Sequence, residues 1–375
     1  MKKFNWPNTL FLTIVPAIAI VGTTLIIMKG ALHWQTLVLA FVYIIFTGMA
    51  VTGGYHRLFS HLSYKAHPIV RLFYLLFGAA AFEGSALEWC TDHRNHHRYT
   101  DTDRDPYDIK KGFWFAHMGW LFHLDTSKRD YSNVDDLKQD PLVAWQHRHV
   151  VLIGTFVSFI MPMLIAMLWG DPWGGLIIAG ALRITVNQQF TFCINSVCHL
   201  WGKRSYSEGQ SARDNWVTAL FTYGEGFHNF HHQFPLDYRN GIRYFHFDPT
   251  KWLIRSLSYL GLAYDLKQVS IAKIVQYKLR VDENRLKSLN LTDSFSDYVK
   301  NSIDPLRESL MQVLARVEEL EKSYRELKQQ GIDSMMGKVE EYRQRLSEQR
   351  ARLYEARSEL RQGLSQWSRL VKVIK

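Results

Sequence analysis

Three imidazoles stand at i, i+3 and i+4 in His93-Arg94-Asn95-His96-His97, and the same pattern returns in His228-Asn229-Phe230-His231-His232. On a helix that spacing lines one face with ring nitrogens. A looser pair, His56 and His61, precedes both, and His199 falls where a long apolar segment ends. Neutral imidazole binds zinc, iron, copper or nickel, and ligand type alone does not choose among them. Number narrows the field. A structural zinc takes four ligands, whereas His56, His61, His93, His96, His97, His199, His228, His231 and His232 are nine. They suit two metal ions with positions left for oxygen or water. Asn195, one helical turn before His199, faces the same way and is placed to hold a metal-bound water. Glu225 with His228 is the one Glu-x-x-His pair near the boxes, so the carboxylate-rich di-iron bundle is rejected. Glu225 and Asp92 fit better as carboxylates that orient imidazoles. His33, His67, His117, His123, His147, His149 and His246 lack box spacing and read as hydrogen-bonded or surface residues.

Elements that position such a site are visible in the hydropathy pattern. The 375 residues are 47% hydrophobic, with a formal charge of +10. Those averages combine an apolar N-terminal two-thirds with a charged tail. The basic balance coexists with long apolar runs, which favours a membrane protein over a nucleic-acid binder. Cys90, Cys193 and Cys198 show neither a disulfide framework nor thiolate zinc spacing. Residues 9–28 and 34–52 predict two membrane spans joined as a hairpin, and 150–169 and 176–198 predict two more. The last carries Arg183, Asn187, Gln188 and Gln189, polar groups expected to face a protein interior. Between the pairs, Ile69 to Phe82 reads as a short buried or re-entrant helix, and Glu83 to His149 as a folded polar layer. Lys and Arg concentrate at the N-terminus, in this middle segment and after His199, which places the histidine boxes and both termini in the cytoplasm. Asp248 to Leu266 predicts an amphipathic surface helix.

The expected fold is all-α: a membrane domain over 1–301 with a cytoplasmic helical cap, then a C-terminal extension over 302–375. In that extension Leu306, Leu310, Val313, Val317 and Leu320 alternate steps of four and three, and the rhythm resumes from Val339. An antiparallel coiled-coil hairpin turning between Gly331 and Gly337 is expected, with Gln349 and Gly363 as irregular seam positions. Self-association, docking of an electron donor, or stability alone are the roles it suggests. A two-metal imidazole site under membrane spans points to chemistry on a lipid. Iron with dioxygen can attack an unactivated C–H bond, which redox-silent zinc cannot.

The boxes closely resemble those of membrane acyl-CoA desaturases of the delta-9 (stearoyl-CoA desaturase) family. The resemblance rests on His56-Arg57-Leu58-Phe59-Ser60-His61, Asp92-His93-Arg94-Asn95-His96-His97 with Asp103-Arg104-Asp105-Pro106, Asn195-Ser196-Val197-Cys198-His199, and Gly224-Glu225-Gly226-Phe227-His228-Asn229-Phe230-His231-His232. It covers roughly residues 35 to 275. It implies two iron ions held by the nine histidines, with Asn195 reaching one through water. Dioxygen and two electrons would then remove two hydrogens from a saturated acyl chain, leaving a cis double bond. An acyl tunnel is implied beneath the metals, past Trp89, with Ile44 and Gly48 setting chain length. The i, i+5 spacing of His56 and His61 implies a helix end or local distortion. Departures from the animal acyl-CoA pattern fall at Thr91 and at Leu124-Asp125. They leave acyl-CoA as the first choice of carrier, with acyl carrier protein and phospholipid chains behind it. His67-Pro68 does not continue as a haem-domain signature, so electrons are expected from a separate ferredoxin, rubredoxin or cytochrome with its reductase. The chain reads as bacterial, in an inner membrane. A related di-iron hydroxylase and a zinc-binding scaffold are the competing readings.

Overall fold

Asn5 accepts a hydrogen bond from the Asn8 amide and Pro7 sits in the first turn, so the first apolar run begins as a helix, α1 (Trp6–Met28). The computed structural model describes residues 4–287, 299–333 and 339–373. Helices account for nearly all of the regular structure. The one ladder among the described residues pairs β1 (Lys65–Ala66) with β2 (Ala263–Tyr264), antiparallel. The chain divides into two units, one of Met1–Arg204 with Glu208–Gln268 and one of Ser205–Ser207 with Val269–Lys375.

Among the described residues, three helices are long and apolar enough to cross a membrane: α1, α2 (Trp34–Ser60) and α5 (Pro141–Trp169). Ile20 and Val21 of α1 are 63% and 58% exposed. Apolar side chains left outside in such numbers are explained by lipid. Two spans are longer than the hydropathy pattern predicts. α2 continues from 52 to Ser60, and α5 starts at Pro141 because Asp140 accepts from the Leu142 and Val143 amides. The segment expected as a fourth span, 176–198, lies in continuous helix over 172–200 (α6) but is not among the three apolar candidates. Its polar groups turn inward: Arg183 donates to the carbonyls of Ala179 and Ala80 at 3.2 and 2.9 Å, and Gln188 to those of Ala81 and Phe82 at 3.1 and 3.2 Å. They satisfy the carbonyls at the end of α3 (Pro68–Ala79), a twelve-residue helix too short to span.

The last eleven residues of α2, Ala50–Ser60, are wound as a π-helix. Its i→i+5 bonding reaches from the His61 amide to the His56 carbonyl at 3.1 Å, and it brings the two rings to a centroid distance of 4.8 Å. This is the distortion that the first box requires. Gly54 lets α3 approach, since a Cβ there would lie 2.5 Å from the Tyr74 Cβ. α4 (Ala86–Tyr99) carries the second box and opens with a capping box, Ser85 accepting from the Glu88 amide at 3.2 Å and Glu88 from the Ser85 amide at 2.9 Å. Arg94, on its outer face, donates to the carbonyls of Phe59 and Ser60 at 2.8 and 3.0 Å, so α4 is fastened to the end of the π-helix. Short helices α7 (Trp216–Phe221) and α8 (His228–Gln233) follow. The expected helix over Asp248 to Leu266 is shorter, α9 (Pro249–Tyr259). Gly261, at φ 71°, turns the chain into β2.

In the second unit, α10 (Ile271–Lys287), α11 (Asp304–Asp333) and α12 (Val339–Val373) share an apolar core that includes Leu279, Leu310, Val317, Leu353 and Leu360. Arg316 pairs with Glu359, and Glu321 with Arg357 at 2.8 Å, so α11 and α12 run antiparallel. Gly363 sits against Leu310, which a Cβ would approach to 2.7 Å. Of the expected glycine-bounded turn, residues 334–338 lie outside the described residues, and Gly331 is still within α11.

Gly54→Val should force α2 and α3 apart. The expected cost is about 1–3 kcal/mol of overpacking, visible as a lower melting temperature of the detergent-extracted protein.

Candidate metal centre

The nine box histidines come together in two groups. His56, His61, His93, His97 and His231 form one, and His96, His199, His228 and His232 the other; within each, one ligand atom per residue lies within 4.8 Å of the rest. Each group draws on three helices: α2, with His61 just past its end, α4 and α8 build the first, and α4, α6 and α8 the second. α4 and α8 serve both because His93 and His97 point to one side and His96 to the other, and likewise His231 against His228 and His232. Asp214 starts α8 by accepting from the Phe230 amide at 3.0 Å, and burial pushes its carboxyl up to about 7.

Inner nitrogens meet nose to nose. His56 Nε2 lies 2.9 Å from His231 Nε2, which is 2.9 Å from His97 Nε2; His61 and His93 face each other at 2.9 Å. In the second group His228 Nε2 is 3.0 Å from both His199 and His232, and His96 is 3.2 Å from His232. Outer nitrogens decide what these contacts mean. His96 Nδ1 lies 2.9 Å from Asp105 Oδ1 and His232 Nδ1 2.9 Å from Gln210 Oε1, both acceptors. Each ring therefore carries its proton on Nδ1 and turns a bare Nε2 lone pair inward. His56 is oriented the same way, its Nδ1 2.8 Å from Glu225 Oε2. Bare lone pairs about 3 Å apart in a buried site repel unless a cation lies between them. The donor set thus fits transition-metal ions, five imidazoles in one group and four in the other.

Behind the ligands stands a set of partners that orient them. Glu225 takes two hydrogen bonds from Arg57, at 3.2 and 2.9 Å, and one from Asn240 at 2.6 Å. Arg57, 1% exposed, also reaches Asp248 at 3.0 Å and the Tyr238 carbonyl at 2.8 Å. Burial works to raise the Glu225 carboxyl, but His56 and Arg57 outweigh it and hold it below the usual range. His199 Nδ1 is 2.6 Å from Ser211 Oγ, itself bonded to Asp101. His93 Nδ1 is 3.3 Å from the Tyr107 hydroxyl.

Two sequence expectations need correction. Asp92 does not orient an imidazole; it pairs with Arg129, at 2.7 Å. Adjacent residues on a helix point about 100° apart, so the neighbour of His93 looks elsewhere, and Asp105 supplies the carboxylate beside His96. Asp105 sits in the Asp103-Arg104-Asp105-Pro106 motif that follows the second box, which was the one signal for it. Arg57, inside the first box, and Gln210, Ser211 and Asp248 had none. The second correction concerns a cavity of about 480 Å³ whose wall includes His56, His93 and His228. Gly48, Trp89 and Asn195 line it, but Ile44 does not. Ile44 instead offers its carbonyl to the Tyr223 hydroxyl, 2.9 Å away.

His93, His97, His228, His231 and His232 are held well below the usual imidazole range, first by burial and then by repulsion from their neighbours. The unfolded chain takes up protons near pH 6.5 that the folded chain refuses. Metal-stripped protein should therefore lose thermal stability as pH falls from about 7.5 through 6.5; a flat melting temperature there would contradict a neutral cluster. Asp105→Asn should weaken metal retention about 10–100-fold, measured by metal content after dialysis against graded chelator.

The sequence profile of the Fatty acid desaturase family matches residues 32–267. A Schizosaccharomyces pombe protein named as a probable acyl-CoA desaturase is 45% identical over 77% of this chain, and acyl-CoA desaturase 1 of Saccharomyces cerevisiae 43% over 76%. The matched regions cover 61% and 56% of those two proteins. Stearoyl-CoA desaturase 5 of Bos taurus is 36% identical over 74% of this chain and 84% of its own length. Read with the nine converging histidines, the match places this chain in the fatty acid desaturase family.

Proposed function

We propose that the chain desaturates a long-chain saturated acyl group, carried as its coenzyme A thioester, by introducing a cis double bond at the delta-9 position. One observation carries this reading: ligands of both histidine groups form part of the wall of a largely apolar cavity, so an alkyl chain in it lies against the metal centre. Two bound iron ions would supply the oxidising power, with dioxygen, for an unactivated C–H bond. Removing two hydrogens while dioxygen becomes two waters takes two further electrons and two protons. We assign those electrons to a donor protein of the ferredoxin, rubredoxin or cytochrome type with its reductase.

The chain's own residues do the positioning. Glu225, held by Arg57 and Asn240, keeps His56 aimed inward, and Asp105 does so for His96. Asn195 faces the cavity one turn before His199 and is assigned to a metal-bound water. Trp89 walls the cavity beside the ring of His93, at a centroid distance of 4.7 Å, where it excludes water. The membrane arrangement is read as four spans, with 176–198 as the fourth because its polar groups are spent inside the protein. The distribution of Lys and Arg supports boxes and termini on the cytoplasmic side. The α11–α12 pair, read as a coiled coil, is assigned to self-association or donor docking on its heptad pattern.

Fatty-acid analysis by gas chromatography–mass spectrometry, with double bonds located by derivatisation, tests the reading in cells expressing this chain or His96→Ala. A new cis-monounsaturated acid is expected with the unsubstituted chain and none with the variant, which should still reach the membrane. A hydroxylated lipid in its place would replace desaturation with hydroxylation.

A further inference from the structure

The cavity ends abruptly along α2. Gly48, Val51, Thr52 and His56 all line it, but Ile44, one turn before Gly48, does not. What intervenes is Tyr223, from the loop between α7 and α8. A Cβ at Gly48 would lie 2.0 Å from the Tyr223 ring, so the ring lies across the space that only a glycine leaves open. Its hydroxyl then reaches the Ile44 carbonyl at 2.9 Å, behind the last lining position.

This placement is built rather than incidental. Tyr223 has φ 55°, the left-handed region that residues with a Cβ seldom adopt. Its neighbours enforce that conformation: Thr250 donates to the Tyr223 carbonyl at 3.0 Å and lies 2.7 Å from the Thr52 hydroxyl, and Gly224, at φ 99°, packs so closely that a Cβ would meet Asp248 at 2.5 Å. Backbone strain held in place by this many contacts marks a position with a task. Gly48 precedes His56 by eight residues along the same continuous helix, most of them in its π-wound stretch. The ring therefore stands a fixed distance beyond the metal centre.

We propose that Tyr223 is the stopper that limits how far an acyl chain extends past the reacting carbons, and so selects substrate length; this rests on the desaturase reading. Gly48 acts only by giving the ring room. Ile44 lies behind the stopper and acts only through its carbonyl.

The test uses cells expressing the full chain, supplied with a homologous series of even-numbered saturated fatty acids, with the desaturated fraction measured at each length. Tyr223→Gly removes the ring and suits the backbone at φ 55°. It should raise desaturation of acids two carbons beyond the wild-type limit about tenfold or more, the discrimination a filled apolar pocket provides. Tyr223→Leu shortens the side chain and should shift the limit the same way by less. The double-bond position, counted from the carboxyl end, should not move, because the metal ligands are untouched. A purely structural residue would instead lower every product together. Product from both variants with an unchanged length limit, or a uniform loss across all lengths, overturns the stopper. No desaturated product from the wild-type chain overturns the reading beneath it.

Discussion

Buried lone pairs aimed at one another are the condition that the rest of the first unit serves. Nine imidazoles, drawn from four helices, present nitrogen to nitrogen at 2.9 to 3.2 Å wherever such contacts occur. Where both rings carry their proton on Nδ1, as His96 and His232 do, this is an unfavourable arrangement without a cation, so the fold must hold it against its own repulsion. It does so by fixing the outer nitrogens. Asp105, Glu225, Gln210 and Ser211 each face an Nδ1, and the carboxylates among them are themselves held, Glu225 by a fully buried arginine. Removing such a partner releases a ring to turn its bare nitrogen away.

Membrane helices supply the frame. A polar side chain at bilayer depth must find its partner inside the protein, and here that demand becomes a fastening. Arg183 and Gln188 close the open carbonyls after α3, and Arg183 also lies 5.6 Å from the centre of the Tyr43 ring on α2. Three elements are thereby held together near the cavity.

Much of this is legible in the sequence. The i, i+3, i+4 spacing predicts a shared helix face for each box, and the structure divides each box between the two groups. What escaped has physical reasons. A π-helix over Ala50–Ser60 depends on packing against α3 and α4, so the pairing of His56 with His61 could be required but not explained from residues alone. Asp92 stands beside His93 in the chain, but helix geometry points it at Arg129 instead. Asp105 reaches His96 only because the chain turns back after α4, through Asp101 at φ 62°. Contacts between remote segments, such as Tyr223 with Ile44, 179 residues apart, leave no local trace. The amphipathic pattern after Asp248 continued past the point where Gly261 ends the helix, because periodicity does not register a backbone turned by β pairing.

The π-helix has one further consequence. The same stretch of α2 that carries His56 also forms the cavity wall at Val51 and Thr52, and it is wound with one more residue per hydrogen-bonded turn than the helix before it. A single rod thus serves as both anchor and ruler. Any insertion, deletion or rewinding between Gly48 and His56 changes the span from metal centre to cavity end and, at the same time, the angle at which the first histidine is presented. Under the proposed reading, product length and metal affinity are mechanically linked along this segment. Independent variation of the two is open only to the facing surface, which comes from the other side of the sequence.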